Sequence, residues 1–212
     1  MKFQIIQVTP FQQNCTLMWD ESTNQAAVVD PGGDVDKIVS VLEQRGLTLQ
    51  KVLVTHGHLD HCGAAKDLAD KFNVPIEGPN EADAYLLAEL ATNQTRMWGL
   101  PAGTPFTPDR WLNQGDTVAV GSQTLQIFHC PGHSPGHIVF YHEPTKVAIS
   151  GDVLFAGSVG RTDLPKGDMA ALTKAIRENL YTLGDEVQFI PGHGPVSTIG
   201  SERRNNQFVR DR

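Results

Sequence analysis

Four apolar runs in this chain each stop and hand over at once to a glycine beside a metal-binding type of side chain. Val52-Leu53-Val54 leads into Thr55-His56-Gly57-His58, and Leu125-Gln126-Ile127-Phe128 leads into Pro131-Gly132-His133. Val147-Ala148-Ile149-Ser150 leads into Gly151-Asp152, and Val187-Gln188-Phe189-Ile190 into Pro191-Gly192-His193. Short apolar runs bounded by turn residues predict strands. Glycine permits the sharp change of backbone direction that aims the next side chain sideways. Strands that end alike tend to end on one edge of a sheet, and rigid strand ends are good platforms for ligands. The pattern therefore calls for a fold in which distant segments finish at one place. It predicts that His56, His58, Asp60, His61, His133, Asp152 and His193 converge there.

The densest segment, His56-Gly57-His58-Leu59-Asp60-His61, holds three imidazoles and a carboxylate within six residues. Such a mix of nitrogen and oxygen donors suits Zn²⁺, Fe²⁺ or Mn²⁺. Crowded imidazoles repel one another as they become charged, unless a metal or an acid occupies the middle. With donors from the other three loops added, the set exceeds what one tetrahedral ion needs. It predicts two metals, or one metal with open positions where chemistry can occur. Asp152 reads either as a turn cap or as a carboxylate bridging two ions. Of the remaining histidines, His142 reads as a surface residue and His129 as packed or half-exposed within a strand. Cys62, beside His61, reads as a small buried residue rather than a reactive thiolate.

The 212 residues are 40% hydrophobic and 19% charged. Those values suit one globular domain over residues 1–212, large enough to bury a core without disulfide staples. A net charge of −7 argues against a nucleic-acid grip, which needs a basic face. No apolar stretch approaches the length of a membrane span. The start, Met1-Lys2-Phe3-Gln4-Ile5, has no export-signal core. Cys15, Cys62 and Cys130, widely spaced and without a CxxC, suit reduced thiols and a cytoplasmic location. Periodicity predicts strands over 3–9, 15–19, 26–30, 51–55, 74–77, 137–142, 146–150 and 186–190, with a hairpin over 115–130 turning at Gly121-Ser122. It predicts helices over 34–45 with Asp34 as cap, and over 63–72, 81–90 and 168–183, with a short one from about 201. The segment 92–113, with Pro101, Pro105 and Pro108, reads as a long loop. Its Met97, Trp98 and Trp111 either line a pocket or pack over a sheet.

HxHxDH at 56–61, Gly-His at 132–133, Gly-Asp at 151–152 and Gly-His at 192–193, following an Asp-Pro-Gly at 30–32, resemble the metallo-β-lactamase superfamily. The resemblance covers essentially the whole chain. It implies an α/β protein built as an αββα four-layer sandwich, with the site at one edge between the two sheets. By position, His56, His58 and His133 would hold a first divalent ion, and Asp60, His61 and His193 a second, with Asp152 bridging them. Zn²⁺ is the foremost expectation, with Fe²⁺ and Mn²⁺ as alternatives. Asp30 would hold a ligand imidazole in its tautomer. His137 would support the ligands in the same way or make a structural hydrogen bond.

Two ions sharing a water lower its pKa towards neutrality and polarise a carbonyl, so the expected chemistry is hydrolytic attack by a metal-bound hydroxide on an acyl carbon. Asp60 would orient that nucleophile and carry a proton. The run from Gly151 to Asp163 looks like the glyoxalase II-related hydrolases, which cleave S-lactoylglutathione and similar thioesters. The short chain leaves no room for the C-terminal helical domain of their longer members. Arg161, where they resemble a lysine-bearing loop, reads as a binder of a substrate carboxylate, or else as a surface arginine paired with Asp163. The same Gly-Arg-Thr-Asp stretch resembles persulfide dioxygenases, which use one iron. A lactone hydrolase would need the same two-metal site. The expected partner is a small-molecule thioester, with no nucleic acid and no membrane.

Overall fold

The computed structural model describes residues 1–211 and arranges them in four layers. The first sheet contains β1 (Lys2–Val8), β2 (Gln13–Trp19), β3 (Gln25–Val29), β4 (Thr48–Leu53) and β5 (Ile76–Glu77), in that spatial order. The second contains β6 (Thr117–Val120), β7 (Gln123–His129), β8 (Ile138–His142) and β9 (Val147–Gly151). The small hairpin β10 (Leu154–Phe155) and β11 (Ser158–Val159) follows, and β12 (Gln188–Pro191) and β13 (Ser197–Thr198) complete the second sheet. The helices are α1 (Val35–Gln44), α2 (Leu59–Cys62), α3 (Ala65–Phe72), α4 (Ala84–Ala88), α5 (Asn93–Trp98), α6 (Met169–Ala175) and α7 (Ile199–Asn205). No helix among the described residues is long and apolar enough to cross a membrane.

Alternation along the strands explains the layering, because successive side chains leave a strand on opposite faces. In β3, Ala26 and Val28 face Ile38 and Leu42 of α1 and Leu68 of α3. Ala27 and Val29 face the other way, into a core shared with Phe140, Ile127 and Ile149 of the second sheet. In β8, Val139 and Tyr141 meet Leu172 and Ala175 of α6 and Ile199 of α7, while Ile138 and Phe140 face the first sheet. Three apolar cores thus fill the three spaces of an αββα sandwich. Both faces of β3 and β8 are buried, which is why these strands read as continuous apolar runs.

β7 runs antiparallel to β8, β8 antiparallel to β9, and β9 parallel to β12, so β7, β9 and β12 all point the same way. Their carboxyl ends meet that of β4 at one edge of the sandwich. Backbone hydrogen bonds stitch the sheets together there: the Ile138 amide donates to the Thr55 carbonyl at 2.9 Å, and the Asn14 amide to the Gly192 carbonyl at 2.7 Å. The expected shared edge is therefore an edge of two facing sheets.

Several local expectations are corrected. The helix expected from Gly63 starts earlier, as the single turn α2, before continuing as α3. The long loop at 92–113 begins with the helix α5. Asp34 does not cap α1 through its side chain, because its carboxylate accepts the Thr9 amide at 3.0 Å instead. His142 is buried rather than on the surface, with Thr145 Oγ1 at 2.7 Å and Gln123 Oε1 at 3.1 Å on its two ring nitrogens.

Candidate metal centre

His56 and His58 lie in the extended turn after β4, and Asp60 and His61 lie on α2. The loops after β7, β9 and β12 supply His133, Asp152 and His193. All seven side chains come together. Donor atoms of His56, His58 and His133 form one group, all within 4.8 Å of one another, and those of Asp60, His61 and His193 form a second. Asp152 lies between the groups. Its Oδ1 is 3.3 Å from His61 Nε2, and its Oδ2 is 3.5 Å from His133 Nε2 and 3.8 Å from His193 Nε2. His193 Nε2 also lies 3.1 Å from Asp60 Oδ2.

The donor set fits a pair of divalent cations. His56 Nε2, His61 Nε2 and Asp152 Oδ1 are buried without a hydrogen-bond partner, a costly state unless something else satisfies them. Gly192 keeps the space clear, because a side chain there would overlap Asp152 Oδ1 and crowd the His61 ring. Nitrogen and carboxylate donors of this kind suit zinc, iron and manganese alike.

The outward nitrogens are tied back to the protein, which fixes each ring's tautomer and orientation. His61 Nδ1 donates to Asp30 Oδ2 at 2.9 Å. His56 Nδ1 donates to Thr55 Oγ1 at 3.0 Å, and that hydroxyl donates to Asp30 Oδ2 at 2.6 Å. One carboxylate therefore orients an imidazole from each group. Asp30 Oδ1 accepts the Thr55 amide at 2.7 Å. With both oxygens engaged, Asp30 stands behind the centre, although its position beside His56 and His61 would also permit ligation. His133 Nδ1 donates to the Arg161 carbonyl at 2.8 Å, and His193 Nδ1 to the Phe11 carbonyl at 3.2 Å. His58 instead turns Nδ1 inward, 2.9 Å from His133 Nε2. His137 stacks on His56 with ring centroids 4.5 Å apart, and its Nε2 accepts the Asp152 amide at 3.0 Å. That bond uses the His137 lone pair to position Asp152.

Charge is uneven across these side chains. Burial, reinforced by His133, holds His58 down at about 3, so it is neutral and able to donate its lone pair. His56 is also pushed well down, by burial and then by His61. Burial lowers His61 too, but Asp152 and then Asp60 more than offset it and leave the pKa well above normal. For Asp60, burial is outweighed by His61 and His193, and the carboxyl lies below its ordinary value. The Cys62 thiol is pushed well up by burial, which leaves it protonated and inert.

Two supports were not anticipated from the sequence. Asp83 is fully buried and accepts from the Gly57 amide at 2.9 Å, Ser134 Oγ at 2.7 Å and the Gly136 amide at 2.6 Å. It ties the loop bearing His56 and His58 to the loop bearing His133. Gln94 of α5 donates to the Gly57 carbonyl at 2.9 Å and accepts the Leu59 amide at 2.8 Å. Neither stands out in the sequence, since a lone Asp or Gln in a helical segment usually faces solvent. Replacing Asp83 with Ala leaves three buried donors without an acceptor. It is expected to weaken metal binding by about 10- to 100-fold, the range for groups that orient ligands. A chelator-competition titration measures this, and wild-type affinity would show that Asp83 does not position the centre.

Arg161 lines the cleft over the centre together with Phe11, Trp98 and Phe155. Its guanidinium is paired with Asp163 through two contacts of 2.7 Å, the second of the two readings of this residue. In the 92–113 segment, Trp98 lines the cleft while also packing on the core, and Trp111 only packs.

The family model for the metallo-beta-lactamase superfamily matches residues 8–193. The chain is similar to hydroxyacylglutathione hydrolase GloC of Haemophilus influenzae, 46% identical over 100% of both chains. Among solved structures, it matches BLEG-1 B3 metallo-beta-lactamase with a TM-score of 0.91 at 34% identity, covering 98% of this chain and 99% of that one. It also matches TTHA1623 in a di-iron-bound form with a TM-score of 0.88 at 35% identity, covering 97% of this chain and 100% of that one.

Proposed function

The chain belongs to the metallo-beta-lactamase superfamily, and from that premise we propose that it is a metal-dependent hydrolase of glutathione thioesters, S-lactoylglutathione foremost. The observation that carries this reading is the pair of donor groups flanking Asp152, open to a cleft and similar in full length to a hydroxyacylglutathione hydrolase. His56, His58 and His133 would hold one ion and Asp60, His61 and His193 the other, with Asp152 between them. When bound, such a pair supplies a water ionised near neutral pH and a Lewis acid for the acyl oxygen. Asp60, held below its ordinary pKa and 3.1 Å from His193 Nε2, would accept the proton of the attacking water and pass it on. The buried outward nitrogens keep the imidazoles from swinging as charge develops. A thiolate leaving group needs little further help, because it is already a weak base. Zinc is the foremost metal. Iron suits the same donors, and the similar TTHA1623 is di-iron-bound. The cysteines are buried free thiols, which suits a cytoplasmic location.

The test is thiol release from S-lactoylglutathione by protein loaded with zinc, iron or manganese, run beside oxygen uptake on glutathione persulfide and hydrolysis of a β-lactam and a lactone. Chelator-sensitive thiol release is expected. Oxygen uptake with one iron, or a β-lactam or lactone cleaved in preference to the thioester, would overturn the reading.

Arg161 is assigned to a substrate carboxylate, for which it exchanges its pairing with Asp163. Arg161→Ala is expected to raise KM for the glutathione thioester several-fold while kcat changes little, the signature of lost uniform binding. An unchanged KM in steady-state assays would remove Arg161 from the substrate site.

A further inference from the structure

A second cavity, about 680 Å³, adjoins the cleft over the metal centre and, unlike that cleft, is not lined by Arg161. It shares His58 and Trp98 with the cleft over the metal centre. Leu86, Met97, Leu164 and Pro165 supply much of its lining, and Met97 is 54% exposed. Its volume lies in the range that holds a drug-sized ligand, far more than a three-carbon lactoyl group fills.

We propose that this groove is the acyl pocket of the enzyme, and that its preferred substrates are glutathione thioesters whose acyl group carries a bulky apolar substituent, such as a phenyl ring. The inference rests on the thioesterase reading above. A thioester carbonyl carbon has two in-plane substituents about 120° apart. When the thiol arm, with its carboxylates, runs towards Arg161, the acyl arm leaves in the opposite sense, past His58 and Trp98. It then meets a lining in which Leu86, Met97, Leu164 and Pro165 form an apolar part, with Glu89, Asn93 and Arg96 also lining the groove. Trp98 forms the partition, held edge-on to Phe11 at 6.3 Å and 6.1 Å from the His58 ring. A hydroxyethyl group would leave the groove wet, whereas an aryl group would displace that water and cover the accessible surfaces of Met97 and Leu164. A hydrophobic pocket discriminates by tenfold or more for groups differing by even a methylene.

The primary experiment needs no metal and no turnover. Binding of S-benzylglutathione and S-methylglutathione to chelator-treated protein is followed by tryptophan fluorescence and by calorimetry. The benzyl thioether is expected to bind about tenfold tighter or more. Met97→Asp, at an exposed position, and Leu164→Trp, which fills the groove, are each expected to erase that preference. Equal affinities in the wild type, or a preference that survives both substitutions, would overturn the assignment. In parallel, metal-loaded protein is given S-mandeloylglutathione and S-lactoylglutathione. Turnover of both with a several-fold preference for the former, lost in the variants, supports the pocket. Turnover of lactoylglutathione with no preference overturns the pocket and leaves the thioesterase reading standing. Turnover of neither overturns that reading and this inference with it. If the variants instead shift selectivity between lactoylglutathione and the lactoyl thioester of N-acetylcysteamine, the groove holds the thiol arm and the proposal falls.

Discussion

Asp152→Asn is expected to reduce the bound metal from two ions per chain to one at most, and to lower thioester turnover by more than about 100-fold, beyond the upper range for groups that merely orient ligands. The substitution keeps the shape and changes the charge. Asp152 faces three imidazole nitrogens at 3.3, 3.5 and 3.8 Å, and those contacts outweigh burial to hold its carboxyl far below the ordinary value. In the Asn variant one oxygen becomes an amide NH₂. It either donates to an imidazole lone pair that a metal needs or lies against a cation it cannot ligate. The backbone of residue 152 would still be held by His137 Nε2 at 3.0 Å, so the loop is expected to stay in place and the folded circular-dichroism spectrum to persist. Elemental analysis of protein purified in metal-replete buffer, together with thiol-release assays, gives the answer. Two retained ions with turnover within tenfold of wild type would show that Asp152 is not shared between the sites.

The parts of this centre that were legible in the sequence were those carried by chain-local rules. Each of the four ligand-bearing loops follows an apolar run and carries a glycine next to a ligand, and both features are visible without knowing the fold. The convergence of His133, Asp152 and His193 could be anticipated because β7, β9 and β12 end alike, although nothing local revealed that β4 belongs to a different sheet. Long-range polar bonds were hidden. Asp83 is one of three acids in the helical segment 81–90, and only the packed structure shows its carboxylate receiving amides from residues 57 and 136. Gln94 lies where three prolines suggested a loop, yet its side chain closes the space behind Gly57. The hairpin β10–β11 leaves no sequence signal, because two-residue strands have no period. It owes its place to Glu202 and Asn206 of the α7 region, which bind the Gly157 amide at 2.8 Å and the Ser158 carbonyl at 2.9 Å. The burial of His142 is hidden for a related reason, since an imidazole at a strand end is buried once Thr145 and Gln123 satisfy both of its nitrogens.

Stripping the metals is expected to lower Tm by roughly 8–16 °C near pH 8, and the loss is expected to widen as pH rises from 6 to 9. A ligand at about 1,000 times its Kd stabilises the native state by about 4 kcal/mol, and a chain of this size shifts by about 2–4 °C per kcal/mol. The pH dependence follows from the charges left behind. In the metal-free protein His61 and His193 have raised pKa values. For both, burial is outweighed by carboxylates: Asp152 and Asp60 for His61, and Asp60 and Asp152 for His193. Their contribution to stability is complete below their unfolded value of about 6.5 and is lost as pH climbs through the raised folded values. Asp60 and Asp152 are depressed, so their contribution is present above about 3.8 and is lost only as pH falls through their lower folded values. Between those limits a proton on His61 balances the clustered carboxylates. At higher pH that proton leaves, and Asp60 and Asp152 repel one another with no positive charge on His61 between them. The metal-loaded protein runs the other way, because binding displaces those protons and strengthens as they become scarce. Scanning calorimetry at pH 6, 7.5 and 9, with and without chelator, separates the two curves. A chelator effect of constant size across that range would mean that no proton on His61 or His193 stands in for the cations.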